Sequence, residues 1–165
     1  MDLQEAKQSQ FIEEMGDLIG EHGLPHMAGR VIGALMICSP SFMSLDQLAD
    51  MLQASKGAIS MSTQLLLRLG MLTRVSVPGD RKHYLEIRPR IGENLFLDRS
   101  DHIEQHLSVI QTGLDAVSDE PIEARERLIE MKVFFEFLLR ELPGIADRWA
   151  KQRSVLLQNE MNAQV

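Results

Sequence analysis

The chain has 165 residues, 44% hydrophobic and 25% charged, with a formal charge of −7, a length that suits one domain, or a small domain with an appendage, around a real core. Its one cysteine, Cys38, excludes a disulfide framework and a cysteine-based zinc site, and the excess of 24 acidic over 17 basic side chains argues, taken whole, against a nucleic-acid partner. The polar, acidic start MDLQEAKQSQ is no secretory signal, and the uncharged run from Val31 to Leu45, interrupted by Pro40, is shorter than the roughly 18–20 residues that span a bilayer; a cytoplasmic protein with no membrane partner is expected.

Phe11, Met15, Leu18 and Ile19 form an apolar stripe at helical period that ends at His22-Gly23-Leu24-Pro25. A second helix follows Pro25 with Val31, Ile32, Leu35 and Met36 facing inward, and Ser39-Pro40-Ser41 stops it. On that helix Ala28, Gly29 and Gly33 share one side, where small residues permit close helix–helix approach, and Arg30 is expected to pair with an acid inside the domain. Ser44 followed by Gln47 has capping-box spacing and opens a short third helix that buries Leu45, Leu48, Ala49 and Leu52. A fourth helix opens at Ser55 and runs through Leu69 to the stop at Gly70, its apolar face formed by Ile59, Leu66 and Leu69. The pattern then changes to alternation: Leu72–Val77 and Lys82–Ile87, joined by Pro78-Gly79-Asp80, predict one β-hairpin that Pro89 ends.

From Ile91 the helical pattern returns. Ile103, Leu107, Ile110, Leu114 and Val117 form a heptad-like seam, and after a break at Asp119-Glu120-Pro121 so do Leu128, Met131, Phe135, Leu138 and Leu142. Leu142-Pro143-Gly144 is expected to end that helix before a last amphipathic one carrying Trp149, Val155 and Leu156. The fold class is therefore mainly α with one β-hairpin: a winged helix-turn-helix domain over residues 1–90, then a helical dimerisation region over 91–165. Two apolar seams exceed what a small winged domain can cover, which implies a homodimer.

In a winged helix-turn-helix the second helix of the pair enters the DNA major groove and the hairpin reaches the backbone or minor groove. The fourth helix suits that role, because Lys56, Ser60, Gln64 and Arg68 recur opposite its apolar stripe without a carboxylate. Arg and Lys address guanine or phosphate, Gln addresses adenine, and Ser either. Ser55 and the free amides beside it can hold a phosphate, and Gly57 lets the helix end approach the groove. Divided by region, the charge is +5 over residues 54–90 and −12 elsewhere, the footprint of a localised DNA-binding face on an acidic body.

Three segments, Pro25-His26-Met27-Ala28-Gly29-Arg30-Val31-Ile32-Gly33, Ser55-Lys56-Gly57-Ala58-Ile59-Ser60 and Gly79-Asp80-Arg81-Lys82-His83-Tyr84, resemble the signatures of the GbsR-type branch of the MarR-like transcriptional regulators, in order and spacing over roughly residues 10–140. The resemblance implies homodimeric winged-helix regulators, often repressors, some tied to osmoprotectant genes. It maps Lys56, Gly57 and Ser60 to the recognition-helix motif and Arg81 and Lys82 to the wing tip. Leu85 to Arg90 departs from the pattern, which weakens Arg88 and Arg90 as contacts.

Other constellations carry less. His102 and His106 are four apart, but Glu104 stands two residues after the first histidine rather than one, and no third ligand is evident, so a solvated helix face is expected and no metal or cofactor. Cys38 lies in an apolar run and reads as buried and inert. No nucleophile–base pair or phosphate-cradling loop emerges, so the chain is not expected to be an enzyme. A small-molecule effector would call on aromatic rings, of which Trp149 is a candidate pocket residue. The sequence reading is a homodimeric DNA-binding regulator, a repressor on a pseudo-palindromic operator; a winged-helix protein-interaction module that has lost DNA binding is the alternative.

Overall fold

A computed structural model describes residues 2–80, 82–96 and 100–164. Its elements run α1 (Leu3–Glu21), α2 (His26–Ile37), β1 (Met43–Ser44), α3 (Leu45–Met51), α4 (Lys56–Arg68), β2 (Leu72–Ser76), β3 (His83–Ile87), α5 (Ile91–Phe96), α6 (Ser100–Ala116) and α7 (Ile122–Ala163). The chain divides into two compact units, residues 1–91 and 92–165. Among the described residues no helix is long and apolar enough to cross a membrane.

In the first unit α2 is the central helix, with Ala28, Gly29, Val31, Ile32, Gly33, Ala34 and Leu35 all buried. It lies against α1 at very close range. A Cβ built on Gly29 would meet the Met15 carbonyl oxygen and come within 2.7 Å of Gly16 Cα, and one on Gly33 would come within 3.1 Å of Ile12 Cα. The expected small-residue face is thus a backbone-on-backbone seat. Arg30 leaves that seat to pair with Glu13 of α1 at 2.8 Å, and its guanidinium donates to the Leu52 carbonyl at the end of α3 at 3.0 Å. One side chain therefore ties α1 and α2 to the turn that precedes α4.

The apolar faces are rotated from the expected ones. On α1 the buried residues are Ile12 and Gly16 rather than Leu18, which is half exposed. Met36, Leu45 and Leu69, expected inside, are also exposed, while Ser62 and Thr63 of α4 are buried. On α1 the reason is that the glycine seats of α2 bring the α1 backbone itself to the interface, so the centre of contact follows Gly16 rather than the largest side chains. Leu48, Leu52, Ile59, Leu66 and Val31 form the fully buried centre of this unit.

The helix boundaries follow their caps. Ser44 and Gln47 form the expected capping box, each satisfying the other's backbone N–H. Ser55 Oγ accepts the Ala58 N–H at 3.2 Å, and Gly70 takes φ +70°, which lets the chain reverse after α4. The hairpin pairs in antiparallel register, Leu72 with Ile87 through Ser76 with His83. A third strand, β1, is added to the expected hairpin. Met43 and Ser44 pair with Leu85 and Tyr84, so β3 is the middle of a three-stranded sheet.

In the second unit α6 and α7 pack antiparallel: Gly113 faces Leu128, Gln111 bonds Lys132, and the His106 ring sits 5.0 Å from that of Phe135. Ile103 and Ile110 are buried in this contact. The expected break at Pro143 does not occur. Pro143 lies inside α7, which runs unbroken for 42 residues. A proline costs a helix one hydrogen bond and about 3 kcal/mol, a local cost that the many turns on either side absorb. None of the described residues of α7 is buried, and Met131, Val133, Phe134 and Phe137 are all exposed.

Candidate nucleic-acid interface

The outward face of α4 is set by its inward one. Burying Ile59, Ser62, Thr63 and Leu66 turns Lys56, Gly57, Gln64 and Arg68 to solvent, with Ser60 half-buried at the edge. Gln64 donates to Ser60 Oγ at 3.3 Å, so the two polar groups on this face share an orientation. A Cβ on Gly57 would meet only Ser55 Oγ, at 4.0 Å, which leaves the first turn of α4 open. Arg68 closes the last turn of the helix, where a cation is favoured by the helix dipole.

Two residues of this face were not singled out in the sequence. Met61 is 75% exposed between Gly57 and Gln64, an apolar group able to contact a thymine methyl. The spacing of four from Gly57 and three to Gln64 was the available signal. Arg74 of β2 lines, with Ser60, Gln64, Leu67 and His83, a cleft of about 360 Å³ between α4 and the hairpin. Period-two alternation places Arg74 on a sheet face, but only the packing of the hairpin against α4 brings it beside Gln64.

The first turn of α4 also carries a contact from outside the helix. Lys56 Nζ lies 2.6 Å from Asp46 Oδ1 on α3. The hydrogen bond from Lys56 and then its charge hold the Asp46 carboxyl below the usual aspartate range, with Lys82 of the wing adding to the pull. The same hydrogen bond, then the charge of Asp46, raises the Lys56 ammonium above the usual lysine range, and Asp50 contributes. The face of α4 has no carboxylate of its own, yet α3 supplies one.

The wing is built around Asp80. Gly79 takes φ +86° in the turn, and the Asp80 carboxylate accepts the Lys82 backbone N–H at 2.9 Å and the Tyr84 hydroxyl at 2.6 Å. Tyr84 in turn meets Phe42 edge-on, with ring centroids 5.1 Å apart. Lys82 is exposed beside this knot. Arg81, the other expected wing contact, lies outside the described residues.

Elsewhere, His106 Nδ1 contacts the His102 carbonyl oxygen at 2.6 Å within α6, and the described residues hold no group of three or more metal-binding side chains. Cys38 is half-buried, and burial pushes its thiol above the usual range, away from a reactive thiolate. Trp149 is half-buried on α7, its Nε1 without a hydrogen-bond partner among the described residues.

Comparison with known proteins bears on both units. The MarR family signature matches residues 22–83, and that of the MmpR5-like MarR family transcriptional regulators matches residues 91–152. The chain is a MarR-family winged-helix regulator. It is similar to the HTH-type transcriptional regulator MmpR5 of Mycobacterium tuberculosis, at 29% identity over 87% of each chain. It is also similar to a crystal structure of a transcriptional regulator, with a TM-score of 0.78 and 29% identity over 88% of this chain and 99% of the other. These relatives are regulators rather than enzymes, in keeping with the absence of a catalytic arrangement in the sequence.

The order of the wing in this MarR-family chain can be read optically, because Tyr84 is the one tyrosine in the sequence. The hydrogen bond to Asp80, then partial burial and the Asp80 charge, hold its phenol above the usual range. An ultraviolet titration should find a midpoint above the ordinary value of about 10, and Asp80→Ala should bring it back down. Because the folded value is the raised one, the wing's stabilisation is complete at neutral pH and is lost only as pH climbs through that midpoint. An unchanged midpoint in Asp80→Ala would remove Asp80 as the organiser of the wing.

Proposed function

We propose that this MarR-family chain is a homodimeric repressor that binds a pseudo-palindromic operator in double-stranded DNA. Ser55, Lys56, Gly57, Ser60, Gln64 and Arg68 of α4 face the major groove, and Arg81 and Lys82 of the wing contact the backbone or minor groove. The observation that carries this reading is the outward face of α4, where Lys56, Gln64 and Arg68 stand exposed, as does Lys82 of the wing, in a segment of charge +5. Dimerisation is supported by the apolar surface of α7, since Met131, Val133, Phe134 and Phe137 are exposed in a single chain and a patch of that kind marks an interaction surface. A two-fold dimer would read half-sites about 34 Å apart.

The resemblance to GbsR-type regulators rests on the three segments quoted above, whereas the matched relative is MmpR5. A small-molecule effector fits either branch, with Trp149 as the candidate ring. A cytoplasmic site of action follows from this function.

Titration with the DNA upstream of its own coding sequence, over a salt series, tests the proposal. Operator binding should exceed binding to unrelated duplex by about 10³-fold or more, and log K should fall steeply and linearly with log salt. Sedimentation should give a dimer. Equal affinity for operator and unrelated sequence would reassign the winged domain to protein interaction.

A further inference from the structure

Lys56 is the cation at the entry of α4, and in the free protein it is already engaged. Its ammonium is held 2.6 Å from Asp46 Oδ1, with both side chains mostly exposed. Asp46 belongs to α3 and follows the Ser44–Gln47 capping box, so its backbone position is fixed by the helix start rather than by the lysine. Lys82 of the wing acts on the same carboxylate, and Asp50 acts on Lys56 from one turn further along α3. The carboxylate therefore sits within the field of both basic elements that face DNA. A phosphate approaching the first turn of α4 must displace a carboxylate that is tethered in place.

We infer that Asp46 is an intramolecular competitor for the DNA phosphate, limiting the affinity of this face for DNA regardless of sequence. This rests on the DNA-binding reading above. Sequence-independent binding is driven by the counterions that protein cations release from phosphates. A lysine engaged by its own carboxylate contributes less to that release, and base-edge contacts from Gln64 are left untouched. Asp46 thereby lowers adhesion to the bulk of the genome while leaving base discrimination in place. The exposed setting suits the role, because a solvated ion pair is weak and can be broken on contact.

The test compares full-length wild type with Asp46→Asn on a mixed-sequence duplex and on the operator, from 50 to 200 mM monovalent salt. Removing the charge should add about one effective phosphate contact, which steepens the slope of log K against log salt by about 0.9. Affinity for mixed-sequence DNA should rise about fivefold at 50 mM and by only about 1.5-fold at 200 mM, as that slope requires. Asp46→Glu, which keeps the charge, should behave as wild type. In a Lys56→Gln background the gain from Asp46→Asn should vanish. An unchanged slope on mixed-sequence DNA overturns the inference. So does a gain that persists without Lys56, which would mean that Asp46 repels DNA directly, and so does weaker operator binding by Asp46→Asn, which would make it a positioning residue for Lys56. Operator preference is read separately, from wild type alone: its loss would sink the regulator reading, while the mixed-sequence slope would still report on Asp46.

Discussion

Gly29→Ala is expected to destabilise the protein by about 2 kcal/mol, in the middle of the roughly 1–3 kcal/mol range for overpacking, although the same change in an open helix is worth about 1 kcal/mol of added stability. The sign is decided by what the new methyl meets. At Gly29 it meets the Met15 carbonyl and Gly16 Cα, both backbone atoms of α1, so relief requires the whole helix to shift. Gly20→Ala is the control: nothing lies within 4 Å of its Cβ, and it should be neutral or mildly stabilising. Urea unfolding of the full chain at fixed protein concentration distinguishes the two, and a Gly29→Ala midpoint at or above wild type would show that α1 does not seat on α2 as described. The consequence extends to function. If α1 shifts, Glu13 is drawn from Arg30, and Arg30 is the side chain that holds the Leu52 carbonyl before α4. DNA affinity should fall in the same variant.

Gln64→Ala should cost about 1–3 kcal/mol, roughly 5- to 150-fold, at operators that present an adenine to this side chain, and little at others, because a bidentate amide–adenine pair carries that much discrimination. Gln64 is exposed at the middle of α4 and oriented by Ser60, so its loss should remove the proposed base contact without disturbing the core. Lys82→Ala should behave differently, weakening all sequences alike and flattening the salt slope by about 0.9. Selection of binding sites from a randomised pool, followed by titration of the preferred sites, separates the two effects. A uniform loss from Gln64→Ala would demote it to a backbone contact.

The parts of this fold that were legible in sequence are those written in local chemistry. Ser44 and Gln47, Ser55, Gly70 and the alternation around Pro78-Gly79-Asp80 each define a boundary within a few residues of themselves, and the structure places those boundaries there. Arg30 was legible as a paired charge because a cation among buried small residues needs an acid. The pairing of β1 was not, since two residues carry no period and gain strand geometry only from β3. The continuation of α7 through Pro143 was hidden for the opposite reason: the local signal was strong and the long helix overrode it. On the candidate interface, the outward stripe of α4 was legible from its period, although Met61, which stands on it, was not read as part of it. The Asp46–Lys56 pair and the position of Arg74 depend on how α3 and the hairpin meet α4, which no spacing in the chain encodes.

Ser44 belongs to two structures at once. It is the last residue of β1, paired with Tyr84 of the wing, and it is the N-cap that starts α3. The wing is thus not a flap hung from the end of the domain. Pulling β3 away from β1 would also strain the capping box, and fraying α3 would expose the inner edge of the sheet. The amides of Gln47 and Leu85 should therefore lose protection against hydrogen exchange together, as members of one cooperative unit. Any ligand that loosens either element would act on the whole reading head rather than on its tip.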